Sequence, residues 1–159
     1  MIFRILLSCI CAILSADDVL EVEALRLKAD EIKGIIELEE NVEIKRGKDE
    51  LYAQKVIINI DKDRMPTHYS AYGGVDFVIV TEDNRILRGK ASEVHYNALN
   101  GEYKLVGNGR VVEDGKVNAV TGEEIILNND IGYVNVTGTN KKPAKVIFEL
   151  EEDKQSDTK

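Results

Sequence analysis

The chain has 159 residues, 21 of them Lys or Arg and 29 Asp or Glu, for a net charge of −8. That length suits a single domain with a sizeable core. The acidity argues against nucleic acid as a partner, because phosphate repulsion would oppose binding, and against adhesion to anionic membrane surfaces.

The first element has the layout of an export signal. Arg4 supplies a positive start, residues 5–14 (ILLSCICAIL) form an apolar run, and Ser15-Ala16 closes it before Asp17-Asp18. The run is too short for a bilayer, which needs about 20 apolar residues. Cleavage is expected near Ala16. Cys9 and Cys11 both lie in the segment to be removed. The mature chain then has no thiol for a disulfide, a thiolate metal site or a nucleophile.

From Val19 onward apolar and polar residues alternate with the period of strands. Val42-Glu43-Ile44-Lys45, Tyr103-Lys104-Leu105 and residues 144–150 (AKVIFEL) show it. So does the single-parity series Tyr69, Ala71, Gly73, Val75, Phe77, Ile79. The best helical candidate, residues 24–34, reads equally well as strand, turn, strand. Gly47-Lys48-Asp49, Asp83-Asn84, Asn100-Gly101 and Asp114-Gly115 punctuate the runs, and Asn-Gly and Asp-Gly suit hairpins. Pro66 and Pro143 fall between runs. Residues 151–159 (EEDKQSDTK) lack apolar residues and are expected to be disordered.

A weak repeat runs through the chain. Asp30, Asp61, Asn97 and Asn128 each close an apolar-any-apolar-Asx pattern, at spacings of 31, 36 and 31. Val22, Ala53, Gly89 and Val120 stand eight positions before them. Asn41-Val42, Gly74-Val75 and Gly109-Arg110-Val111 read as turns into following strands. Each unit is a few short strands that cannot bury their apolar face alone, so stacked units share one core.

This repeat, with residues 24–53 (ALRLKADEIKGIIELEENVEIKRGKDELYA), residues 106–109 (VGNG) and residues 142–148 (KPAKVIF), resembles the OstA-like (LptA-type) family of periplasmic lipopolysaccharide-transport proteins. The likeness covers nearly all of the mature chain. Two places depart from the family pattern: its Gly-Asn-Val turn is here Glu40-Asn41-Val42, and its opening Ala-Asp is Ala24-Leu25. The resemblance implies an all-β fold, an open V-shaped jelly roll of two facing antiparallel sheets. It also implies a periplasmic, non-enzymatic protein that shields the lipid A chains of lipopolysaccharide. Such a protein joins head to tail by strand pairing, both with itself and with the periplasmic domain of an inner-membrane transporter and an outer-membrane assembly protein. Another component of the same transport system, a structural envelope scaffold and a secreted carbohydrate-active enzyme are the alternatives.

The expected lipid groove is Ile36, Leu38, Ile44, Ile58, Ile60, Phe77, Ile79, Tyr96, Leu105 and Leu127. Any one of them taken alone fits an ordinary sandwich core better, and the resemblance tips the set as a whole toward lipid contact. The expected pairing edges are Val19, Glu21 and Glu23 at one end and Val134, Val136, Val146 and Phe148 at the other, since unpaired edge strands recruit further strands. Glu21 and Glu23 could complement Lys141, Lys142 and Lys145 across such a joint. No catalytic residue, cofactor or metal is expected. His68 and His95 read as solvated, the acidic residues as a wet sheet face, and Gly73-Gly74 as a turn or bulge.

Overall fold

A computed structural model describes residues 19–128 and 131–150. The expected leader and the charged tail lie outside these residues. Ten strands follow in chain order: β1 (Leu20–Glu23), β2 (Arg26–Asp30), β3 (Ile35–Arg46), β4 (Asp49–Ile60), β5 (Pro66–Val80), β6 (Ile86–Asn97), β7 (Glu102–Glu113), β8 (Ala119–Asn128), β9 (Tyr133–Thr137) and β10 (Lys145–Ile147). Each long strand pairs antiparallel with its neighbours in sequence, from β3 through to β8. β1 and β2 both pair with β3, on its two halves, and β9 and β10 share β8 in the same way.

The units are therefore long bent strands and not clusters of short ones. Every ladder from β3 to β8 carries an irregularity near its middle. Glu40-Asn41, Gly73-Gly74 and Gly107-Asn108 each oppose a single residue on the next strand, and all six have positive φ. This two-against-one count is a β-bulge, which bends a strand and sharpens its twist. Lined up across the ladder, the bulges fold one continuous sheet into two facing halves. The result is an open β-jelly roll. Two of the three positions expected as turns into strands, Asn41 and Gly74, are thus corners inside strands. The third corner is Gly107-Asn108, and Gly109 sits beyond it, paired with Gly122. Glycine is required at two of these corner positions: a Cβ on Gly73 would lie 2.8 Å from the Gln54 Cβ, and one on Gly107 2.6 Å from the Ser92 Oγ.

The bulges also explain where the alternation slips. Ala53 and Val56 both face inward on β4, as do Ala91 and Val94 on β6, although the members of each pair stand an odd three positions apart. The inner faces then form cross-strand rows. One runs Leu27, Leu38, Val56, Ala71, Val94, Leu105, Ile125, Val136 in register. In the other half the row is Val22, Ile44, Leu51, Phe77, Gly89, Val111, Val120, Val146. Val22, Gly89 and Val120 share this row, whereas Ala53 lies one row nearer the corner. Leu38, Val42, Val56, Val75, Leu105 and Ile125 are almost wholly buried where the halves meet.

The repeated Asx residues gather at one rim. Asp30 Oδ1 accepts from the Lys33 N–H, Asp61 Oδ1 from those of Asp63 and Met65, and Asn97 Oδ1 from that of Leu99. Asn128, the buried polar residue, donates from Nδ2 to the Asn100 carbonyl at 2.7 Å. For the first three the pattern marks strand ends because a short polar side chain satisfies the turn that follows it, whereas Asn128 ties its strand end to the turn between β6 and β7.

Candidate functional site: a cleft between the sheet halves

Away from the packed corner the halves part into a cleft of about 100 Å³. One wall comes from the Val22 row and its neighbours: Leu20, Ile44, Leu51, Phe77 and Ile79. The facing wall is Val56, Ala71 and Val94, with Tyr69, Tyr96 and Tyr103. The tyrosines are register partners on adjacent strands. Their rings form a ladder, with centroids 5.9 Å apart for Tyr69–Tyr96 and 4.3 Å for the stacked Tyr96–Tyr103 pair. Such pairs stiffen a sheet face beyond their area burial.

Charged groups stand at the mouth: Arg46, Asp49 and Glu50. Asp49 Oδ1 accepts the Val80 N–H at 2.9 Å, and the Tyr52 hydroxyl donates to Glu50 at 2.9 Å. That bond to Glu50, followed by desolvation, pushes the Tyr52 phenol up to about 12. On the outer surface near the first corner, Glu39 sits between Arg26 and Lys55. The bond from Arg26, then that from Lys55, holds its carboxyl below the usual range.

Of the residues expected in the groove, Ile44, Phe77, Ile79 and Tyr96 line the cleft. Leu38, Ile58 and Leu105 are buried in the solid core, and Ile36, Ile60 and Leu127 are half-buried against it. The reading from sequence missed Leu20, Leu51, Tyr69, Tyr103 and Arg46. The tyrosine ladder had a signal, since all three rings sit at matching positions of successive alternating runs. Arg46 had none, because its place at the mouth depends on how the halves approach.

The expected edges do lie at the sheet margins. Val19 precedes β1, which carries Glu21 and Glu23, while β9 carries Val134 and Val136, and Val146 lies in β10 with Phe148 just beyond. The N-terminal margin is two strands and not one, broken at Ala24-Leu25, where the Leu25 N–H reaches the Glu40 carbonyl at 3.0 Å. The two C-terminal candidates are both edges, one on each half. The apolar rows run out to these margins, leaving Leu27, Val134, Val146 and Phe148 exposed.

One polar constellation deserves a chemical test. On the outer face His95 Nδ1 lies 3.0 Å from Ser70 Oγ, and Nε2 lies 3.3 Å from Glu93 Oε2. A hydroxyl, an imidazole and a carboxylate in line suit nucleophilic catalysis only beside an oxyanion site. Ser70 and His95 are register partners on interior strands, whose N–H groups serve the ladders, on a flat face away from the cleft. The contacts hold β5 to β6. Among the described residues no group of three or more His, Cys, Asp or Glu could hold a metal ion.

The described residues thus form a bent, open β-jelly roll with apolar rows reaching both margins and an apolar cleft between its halves. A family model described as "LptA/(LptD N-terminal domain) LPS transport protein" matches residues 21–133, and the chain belongs to that family. Its structure is similar to the crystal structure of LptH, described as the LptA homologous periplasmic component of the conserved lipopolysaccharide transport device from Pseudomonas aeruginosa. The TM-score is 0.73 at 16% identity, over 86% of this chain and 100% of that one, a likeness of fold. No curated protein matches the chain.

Proposed function

We propose that the protein carries lipopolysaccharide across the periplasm, holding acyl chains of lipid A in the cleft between its sheet halves. The observation that carries this reading is the cleft itself, whose walls are aliphatic and aromatic and whose charged groups stand at the mouth. Covering acyl chains is favourable by about 0.8 kcal/mol per CH₂. An aliphatic wall supplies that without fixing the position of a chain, which suits a cargo that must move on. The space of about 100 Å³ is smaller than a cavity of about 150 Å³ that accepts one benzene. Chains therefore enter as the halves part about the corner line. Family membership supports the same reading, and the likeness to LptH supports a periplasmic setting.

The margins support assembly into a bridge. Among the described residues, β1 and β2 at one end and β9 and β10 at the other each have one unpaired side. Strand addition at such edges would join copies head to tail. It would likewise join them to the periplasmic domain of an inner-membrane transporter and to an outer-membrane assembly protein. The test of the cargo is mass spectrometry of lipid extracted from the natively purified protein. Lipid A should accompany the wild type and be reduced by Ile79→Asp. Absence of lipid A under conditions in which an established carrier retains it refutes the reading.

A further inference from the structure

The two rims of the jelly roll differ. At the rim organised by the Asx residues, each turn presents one large exposed aliphatic or thioether side chain among the described residues. These are Ile32 (99% exposed), Met65 (61%), Leu99 (71%) and Ile131 (75%). Their spacings are 33, 34 and 32 residues, one per two-strand unit. The opposite rim carries Lys48, Glu82-Asp83-Asn84 and Asp114-Gly115-Lys116 at its turns, with Val117 as an apolar exception. The chain thus has charged turns where it meets water on one side and places an apolar tip at every turn on the other.

The tips stand on a row of linked turns. Neighbouring turns are laced together by Ile60 N–H to Gly34 carbonyl at 2.9 Å, Ala98 N–H to Thr67 carbonyl at 2.8 Å and Asn128 Nδ2 to Asn100 carbonyl at 2.7 Å. Adjacent strands lie about 4.8 Å apart, so tips on alternate hairpins recur at roughly 9.6 Å. That gap leaves each tip isolated within one molecule. A second ladder of the same period, shifted by half of it, fills every gap and gives a strip of apolar side chains spaced by roughly 5 Å, close enough for neighbouring side chains to touch.

We propose that this rim is a lateral docking surface for a second copy of the chain, the two stacks lying side by side with the tips of one between those of the other. A copy has the matching period by construction, which an unrelated partner would need to reproduce. Charge permits it. The rim's charges are of mixed sign, Glu31 and Lys33 on one turn and Lys62, Asp63 and Arg64 on the next, with Arg64 pairing to Glu31 across turns. Identical rims do not repel as two bodies of net charge −8 otherwise would. Four tips make an interface well below the usual ~800 Å² per partner. Pairing is therefore weak between single protomers, and it strengthens where end-to-end stacking lengthens the ladder. The pairing is separate from the sheet-edge joint, which uses the margins.

Sedimentation of the full chain carrying Phe148→Glu together with Val134→Glu, which puts a charge on each C-terminal margin, isolates the rim contact. A dimer at high concentration is expected, weakened at least about tenfold by adding Leu99→Glu and unaffected by adding Asn84→Glu on the other rim. A photo-crosslinking residue at Met65 should give covalent dimers, and the same residue at Asn84 should not. Two results overturn the proposal. One is a strictly monomeric Phe148→Glu, Val134→Glu protein with no cross-link from Met65. The other is flotation of that monomer with phosphatidylcholine vesicles that Leu99→Glu abolishes, which assigns the tips to a lipid surface.

Discussion

Phe77 and Gly89 should be energetically inseparable. They are register partners in the Val22 row, and the tip of the Phe77 ring fills the space a side chain on the glycine would take. A Cβ on Gly89 would stand 2.0 Å from the ring's Cζ and 2.4 Å from Cε1. Those are ring carbons held by packing, so Gly89→Ala forces Phe77 out of its place. Overpacking of this kind costs about 1–3 kcal/mol. Phe77→Ala alone removes a buried ring and costs about 3–5 kcal/mol. If the ring is what the new methyl strikes, the double variant loses the clash and its methyl occupies part of the void. Its cost then falls below the sum of the singles by about 1–3 kcal/mol, within the range of coupling for contacting residues. Urea unfolding followed by far-ultraviolet circular dichroism measures all four proteins, a suitable probe in a chain with no Trp. Additivity within about 0.5 kcal/mol would show that Gly89 is not the seat of the Phe77 ring.

Leu105→Ala, at a site with no exposed surface, should destabilise by about 2–5 kcal/mol, whereas Leu99→Ala at an exposed turn should change the urea midpoint little. Equal losses would contradict the assignment of Leu105 to the solid core. The carboxyls of Glu39 and Glu43 are held below their ordinary value of 4.5 by Arg26 and Lys45 first of all. Their stabilising contribution is present above pH 4.5 and lost as pH falls through the lowered values. The urea midpoint should be flat from about pH 7 to pH 5 and decline on the acid side of 4.5; a midpoint that rises there refutes the sign. In a spectrophotometric titration of the six tyrosines, one phenol should ionise at about 12 and move back toward 10 in Glu50→Gln. Val146→Asp, at the exposed β10 margin, should abolish end-to-end oligomers while leaving the circular dichroism spectrum intact, and long oligomers in this variant would remove the margins as the joint.

The all-β character, the hairpin turns and the four-unit repeat were legible in the sequence, because side chains on a strand must alternate and strand ends need Asx or Gly at set places. Asp30, Asp61, Asn97 and Asn128 announced one rim for that reason. Even the corners left a trace, since Ala53 and Val56 break the alternation on β4. What the sequence left open was the meaning of that break. Gly73-Gly74 satisfies a turn and a mid-strand bulge equally well, and only the pairing of β4, β5 and β6 across it decides for the bulge. The division of the apolar residues was likewise tertiary. Leu105 and Phe77 occupy similar places in similar alternating runs. Where along the rows the halves touch or part makes the first solid core and the second the wall of a cleft, and Leu105's own register partner Val94 lines that cleft.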